Sequence, residues 1–133
     1  ADPPLSPAPA IPPRLPEPPQ DDLAVCDAHL SLTDRPRHQQ LRKLYDLIAE
    51  TQKPVIVAGD INTFRGENEI YLFMRAAGLR SANVNSLPSY PSRSPRKELD
   101  FILYQDGINV TNFEIPQVRF SDHLPLICDF EVE

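Results

Sequence analysis

Pro54-Val55-Ile56-Val57-Ala58-Gly59-Asp60-Ile61-Asn62 is a short apolar run, opened by a proline and broken off by a glycine, a carboxylate and an amide. Its β-branched residues and its sharp bounds read as a buried strand. Side chains alternate along a strand, so Asp60 and Asn62 should leave its end on one face. Two readings fit this ending. It can be a scaffold that presents catalytic groups, or an Asp-x-Asn turn that caps the next element.

Outward from this run, the pattern alternates between strand and helix. Upstream, Leu23, Val25, Asp27 and His29 share one face of a strand, and Ala24, Cys26, Ala28 and Leu30 share the other. His29 therefore sits at a strand end, as Asp60 does, although a lone histidine in a strand is more often a structural, hydrogen-bonded residue than a catalytic one. Between the two strands, Thr33 and Asp34 offer caps, Pro36 suits a first helical turn, and Leu41, Leu44, Tyr45 and Ile48 form an apolar stripe. Arg42, Lys43, Asp46 and Glu50 fall on the solvated side of this helix. Strand, helix and strand make a βαβ unit, which predicts a parallel pair with a right-handed connection.

Downstream, a loop through Arg65 and Gly66 leads to a second helix over Glu67 to Ala77, with Ile70, Phe73, Met74 and Ala77 inward and Gly78 as its stop. Asn83 to Lys97 is polar, rich in serine and proline, and irregular, as functional loops often are. It runs into the strand Glu98 to Tyr104, in which Asp100 is a carboxylate set between the apolar Leu99 and Phe101. A buried carboxylate without a partner costs several kcal/mol, so Asp100 should have one. Asn109 to Ile115 reads as a further strand. The polar triplet Ser121-Asp122-His123 precedes the last one.

Composition limits the function. The chain has 133 residues and 41% hydrophobic content, enough for one domain with a modest core. Nine of its 16 prolines lie in the first 19 residues, so residues 1–20 read as a disordered, proline-rich tail set before residues 21–133. Pro-x-x-Pro spacing at Pro4 and Pro7, and at Pro9 and Pro12, is what such a composition produces by chance. A net charge of −6 predicts no strong nucleic-acid patch. No run reaches the ~18 apolar residues of a transmembrane segment. Cys26 and Cys128 sit in apolar runs and read as buried, reduced thiols, too few for a disulfide framework or a thiolate zinc site.

His29, Asp60, Asn62, Asp100, Asp122 and His123 thus gather at strand ends or in apolar runs that would otherwise expel them. Asp100 and His123 form a natural carboxylate–imidazole pair. Asp60 and Asp122 are hard oxygen donors suited to Mg²⁺ or Mn²⁺. This inventory suits attack of water on a phosphate-ester substrate: a metal to neutralise charge, histidines to donate, and Asp60 to orient or deprotonate the water. A serine-hydrolase triad of Ser121, His123 and Asp100 is disfavoured, because no Gly-x-Ser-x-Gly elbow is present and Ser121 and His123 are too close in sequence.

Gly59-Asp60-Ile61-Asn62, Leu99-Asp100-Phe101-Ile102, Ser121-Asp122-His123-Leu124-Pro125 and Ala28-His29-Leu30, in this order, resemble the signature of the endonuclease/exonuclease/phosphatase family, whose fold is the deoxyribonuclease I-like α/β sandwich. Tyr90-Pro91-Ser92, followed by Lys97 to Asp100, resembles the loop before the penultimate motif in many bacterial members. The resemblance implies catalytic roles for His29, Asp60, Asn62, Asp100 and His123, with Asp122 and Asp60 at the metal. It treats Arg37 and Gln40 as structural. It also implies two face-to-face sheets and a chain about twice as long, whose first half supplies an early Asn and the Glu that is the principal metal ligand. Asp2 and Glu17, the acidic candidates in the tail, lie on no plausible strand. The expectation for residues 21–133 is therefore the C-terminal half of the domain, one mixed sheet with two helices and an inner face lacking its partner. The activity would then be a phosphoesterase incomplete in this chain. The alternative is an inactive piece that works by binding its missing N-terminal half or a partner protein.

Overall fold

The computed structural model of the chain describes residues 23–30, 34–61 and 67–133. The proline-rich tail with its Pro-x-x-Pro pairs, the Thr33 cap, Asn62 and the loop through Arg65 and Gly66 lie outside the described residues. Strand β1 (Ala24–His29), helix α1 (Asp34–Glu50) and strand β2 (Val55–Asp60) form the anticipated βαβ unit. After helix α2 (Glu67–Ala77) come β3 (Arg80–Ser81), β4 (Asp100–Tyr104), β5 (Ile108–Glu114) and β6 (Ile127–Val132).

The main sheet has the order β1-β2-β4-β3 and is mixed: β1 runs parallel to β2, and β4 antiparallel to both β2 and β3. β2 is an inner strand, which explains its continuous apolar character, since Val55, Ile56 and Val57 are all buried. Ala24, Cys26 and Ala28 of β1, Val55 and Val57 of β2, and Phe101 and Leu103 of β4 pack in one core with Leu41 and Ile48 of α1 and with Ile70, Phe73 and Ala77 of α2. Each large side chain fully buried there, such as Leu103, contributes roughly 1.5–3 kcal/mol relative to exposure. Both helices thus cover a single face of the sheet. The opposite face carries Val25, Asp27 and His29, all exposed.

The helices obey their sequence cues closely. Leu41 and Ile48 are buried and Leu44 is partly so, but Tyr45, read as part of the same stripe, is 37% exposed and marks the edge of the contact. Arg37 is buried and its Nε lies 2.6 Å from Glu69 Oε1, which ties α1 to α2; His38 pairs with the same carboxylate. Helix α2 ends where Gly78 takes φ 68°, with Leu79 N–H donating to Met74 O and Gly78 N–H to Arg75 O, the two bonds of a Schellman cap. β5 and β6 pair with each other in a separate two-stranded ladder. The two-residue strand β3 carries no periodicity that a sequence reading could detect.

Candidate active site

Three strand ends meet on one rung of the sheet. His29 of β1 is in register with Asp60 of β2, and Asp60 with Asp100 of β4. Directly opposed residues share a face, so all three lie on the face that the helices leave open. Gly59 makes this rung possible. Its φ is 144°, and a Cβ built there would lie 1.8 Å from the carbonyl oxygen of Ala28, so only glycine lets β1 and β2 stay paired up to His29 and Asp60.

His123 reaches the rung from the turn before β6. That turn is stitched to the irregular loop: Ser92 N–H donates to Asp122 O at 2.7 Å, and Leu124 N–H to Ser89 O at 2.8 Å, with the Leu124 side chain buried as an anchor. His123 Nδ1 lies 2.6 Å from Asp100 Oδ2, while Nε2 lies 3.8 Å from Asp60 Oδ2. An ionised carboxylate only accepts, so the short contact places a proton on Nδ1 and leaves Nε2 directed toward Asp60. The Tyr90 ring, 4.9 Å from the imidazole between centroids, closes one side of it.

Behind Asp100 stands Ser89, which is fully buried. Its Oγ receives the main-chain N–H groups of Leu99 and Asp100 at 3.4 and 3.3 Å, and donates its own proton to Asp100 Oδ2 at 2.7 Å. The amides fill its acceptor side and so direct the hydroxyl proton at the carboxylate. One carboxylate oxygen is therefore held by both Ser89 and His123.

Donor atoms of Asp60, Asp100 and His123 all lie within 4.8 Å of one another, making a group able to hold a metal ion. The residues singled out from sequence are distributed around it. Asp60, Asp100 and His123 come together, with the half-buried Asp100 partnered by His123. His29 shares their rung but is exposed and outside the group. The Asp122 side chain is exposed and does not join the group, because adjacent residues in a turn diverge; its main-chain oxygen holds the loop instead. Asn62 lies outside the described residues. Nothing in the sequence singles out Ser89: the irregular loop reads as a functional one, yet only the need of Asp100 for hydrogen-bond donors points to a hydroxyl within it. Both cysteines are free, and burial pushes the Cys26 and Cys128 thiols up, with the charge of Asp129 adding to the effect at Cys128.

The sequence matches the profile of the endonuclease/exonuclease/phosphatase family over residues 3–123. The chain belongs to this family. Members of the endonuclease/exonuclease/phosphatase family include phosphatases and nucleases, so the rung of Asp60 and Asp100 with His123 lies in a hydrolase-like fold. Solved structures agree on that fold. A conserved protein of unknown function from Enterococcus faecalis superposes with a TM-score of 0.63 at 23% identity, over 82% of this chain and 50% of that one. A mannosyl-6-phosphatase of Bacteroides thetaiotaomicron gives 0.60 at 17% identity, over 79% and 49%. The human Nocturnin catalytic domain, solved with a bound sulfate anion, gives 0.58 at 24% identity, over 82% and 47%. The chain thus spans about half the length of the solved family folds it matches.

Proposed function

We propose that the chain carries part of a phosphoesterase site, in which an activated water hydrolyses a phosphodiester or phosphomonoester with the help of a divalent cation, Mg²⁺ or Mn²⁺. The observation that carries this reading is His123 held between two carboxylates, Asp100 at Nδ1 and Asp60 on the side of Nε2. The names of two structural neighbours, a phosphatase and a domain holding sulfate, support phosphate-ester chemistry.

The donor chemistry fits a hard cation. Two carboxylates and an imidazole, with no thiolate in the group, suit Mg²⁺, which takes few protein ligands and keeps several waters. Asp60 would hold it, with Asp100 and His123 beside it and Asp122 as the further carboxylate read from the family signature. When bound, the cation neutralises charge on the phosphoryl oxygens. Asp60 orients the attacking water and takes its proton. His123 is oriented through its Nδ1–H by Asp100, and in the imidazolium form, with a second proton on Nε2, it donates to a phosphoryl oxygen as charge develops there. The family resemblance adds Asn62 as a catalytic amide and His29 as the second histidine on the phosphate.

Hydrolysis of bis(4-nitrophenyl) phosphate and 4-nitrophenyl phosphate in the presence of Mg²⁺ tests this reading. Asp60→Ala and His123→Ala should each lower the rate by ~10²-fold or more, the range for loss of a general acid or base. Equal rates in wild type and both variants rule the reading out for this chain. A second reading, an inactive chain that acts by binding its complementary half or a partner protein, draws on the 66% exposure of Val25 on the open sheet face. A folded chain without turnover under any metal would favour it.

A further inference from the structure

Immediately beside His123 lies a cavity of about 480 Å³ whose walls are the two stitched loops, one bearing Tyr90 and Arg93, the other Arg119, Phe120 and Asp122. Tyr90 is common to both places: it lines this cavity, and its ring packs on the imidazole of His123. The Ser92 to Asp122 main-chain hydrogen bond holds the walls together. Arg93 and Arg119 are exposed, and among the described residues neither guanidinium has a carboxylate within ion-pair distance. In a chain of net charge −6, two arginines without such a partner on one cleft are an uneven placement of charge. Among the described lining residues Asp122 is the single acid against two arginines, so they give the cleft a net positive charge. Guanidinium groups match phosphate oxygens in pairs, and the volume falls in the range of small-molecule sites, more than a lone phosphate needs. Phe120, 87% exposed, offers an apolar surface to a carbon skeleton at the same place.

We propose that this cleft is a subsite for a second phosphate of the substrate, and that the favoured substrate is a small organic molecule carrying two phosphate groups. The proposal rests on the phosphoesterase reading of the neighbouring rung, which would take the first. A nucleic-acid strand also presents a second phosphate, but the acidic chain gives a long polyanion no extended basic track.

The test is calorimetric binding to the full chain, with fructose 1,6-bisphosphate, fructose 6-phosphate and a short single-stranded oligonucleotide as probes, in Mg²⁺. The bisphosphate should bind about tenfold or more tightly than the monophosphate. Arg93→Ala together with Arg119→Ala should remove that preference and leave monophosphate binding unchanged, with circular dichroism confirming the fold. Equal affinities in wild type, or a preference that survives the double variant, overturn the proposal. An oligonucleotide that binds tighter than the bisphosphate, and loses this in the double variant, overturns the small-molecule assignment. A bisphosphate preference without turnover of the nitrophenyl esters keeps the subsite and removes the hydrolase reading. Turnover without the preference does the reverse.

Discussion

Ser89 has a fully buried side chain, and it sets the direction of the carboxylate that holds His123. Its hydroxyl accepts from the amides of Leu99 and Asp100 and donates to Asp100, which in turn holds His123. Ser89→Ala should leave those amides and the carboxylate short of a partner. The expected loss is about 1–3 kcal/mol of stability by urea unfolding, because buried polar groups are then left unsatisfied. On the phosphoesterase reading, the turnover number should fall by about 10–100-fold with little change in KM, as for other residues that orient a reacting side chain through a hydrogen bond. Ser89→Thr keeps the hydroxyl and should recover most of the turnover, although its extra methyl enters a packed space and costs some stability. An unchanged turnover in Ser89→Ala would show that Asp100 and His123 hold their geometry without it. The partnership of Asp100 with His123 could be expected from the sequence, since a carboxylate in an apolar strand needs a donor and a carboxylate that fixes an imidazole is a recurring catalytic device. Ser89 could not be foreseen, because nothing local distinguishes one serine in a loop that holds several.

At the scale of elements, the site depends on how closely β1 approaches β2. Gly59 sits at φ 144° with the Ala28 carbonyl occupying the space of its missing side chain. In Gly59→Ala the methyl group meets backbone rather than a movable side chain, so the strands must separate next to His29 and Asp60. A loss of about 3 kcal/mol or more in thermal or urea unfolding is expected, combining backbone strain with overpacking. Activity should fall further than stability accounts for, since the rung that aligns Asp60 with Asp100 moves. A variant as stable as wild type would mean that the strand ends are looser than the register implies. Helices α1 and α2 and the inner strand β2 were legible because their burial imposes a period on ten or more residues or an unbroken apolar run. β3 was not, since two residues cannot display a period. The pairing of β5 with β6 apart from the main sheet was equally hidden, because alternation specifies a face and leaves the partner strand open. The exposed position of Asp122 has a similar cause: a sequence motif places a residue in a turn without fixing where its side chain points.

For the molecule as a whole, both helices cover one face of the sheet, and the face that bears the candidate site is the open one. Val25 is 66% exposed on that face; elsewhere on the chain Ile127 is 45% and Phe130 41% exposed. The chain spans about half the length of the solved structures it resembles, so burial of this surface by further protein is the natural expectation for the whole fold. Taken by itself, the chain should bind a hydrophobic dye such as anilinonaphthalene sulfonate and associate as its concentration rises. Val25→Lys places a charge on the open face without touching the packed side of β1, where Ala24, Cys26 and Ala28 lie. It should therefore lower dye binding and shift sedimentation toward the monomer, while the unfolding midpoint stays within about 0.5 kcal/mol of wild type, as for a substitution on an exposed surface. The same variant also separates the two functional readings. If Val25 only borders a catalytic rung, hydrolysis by the Asp60 and His123 site should persist in Val25→Lys. If the chain works by binding a complementary half, Val25→Lys should weaken capture of that half while Asp60→Ala leaves it intact. Dye binding and association unchanged by Val25→Lys would show that the apolar surface lies elsewhere, around Ile127 or Phe130, and Ile127→Lys and Phe130→Lys would then locate it.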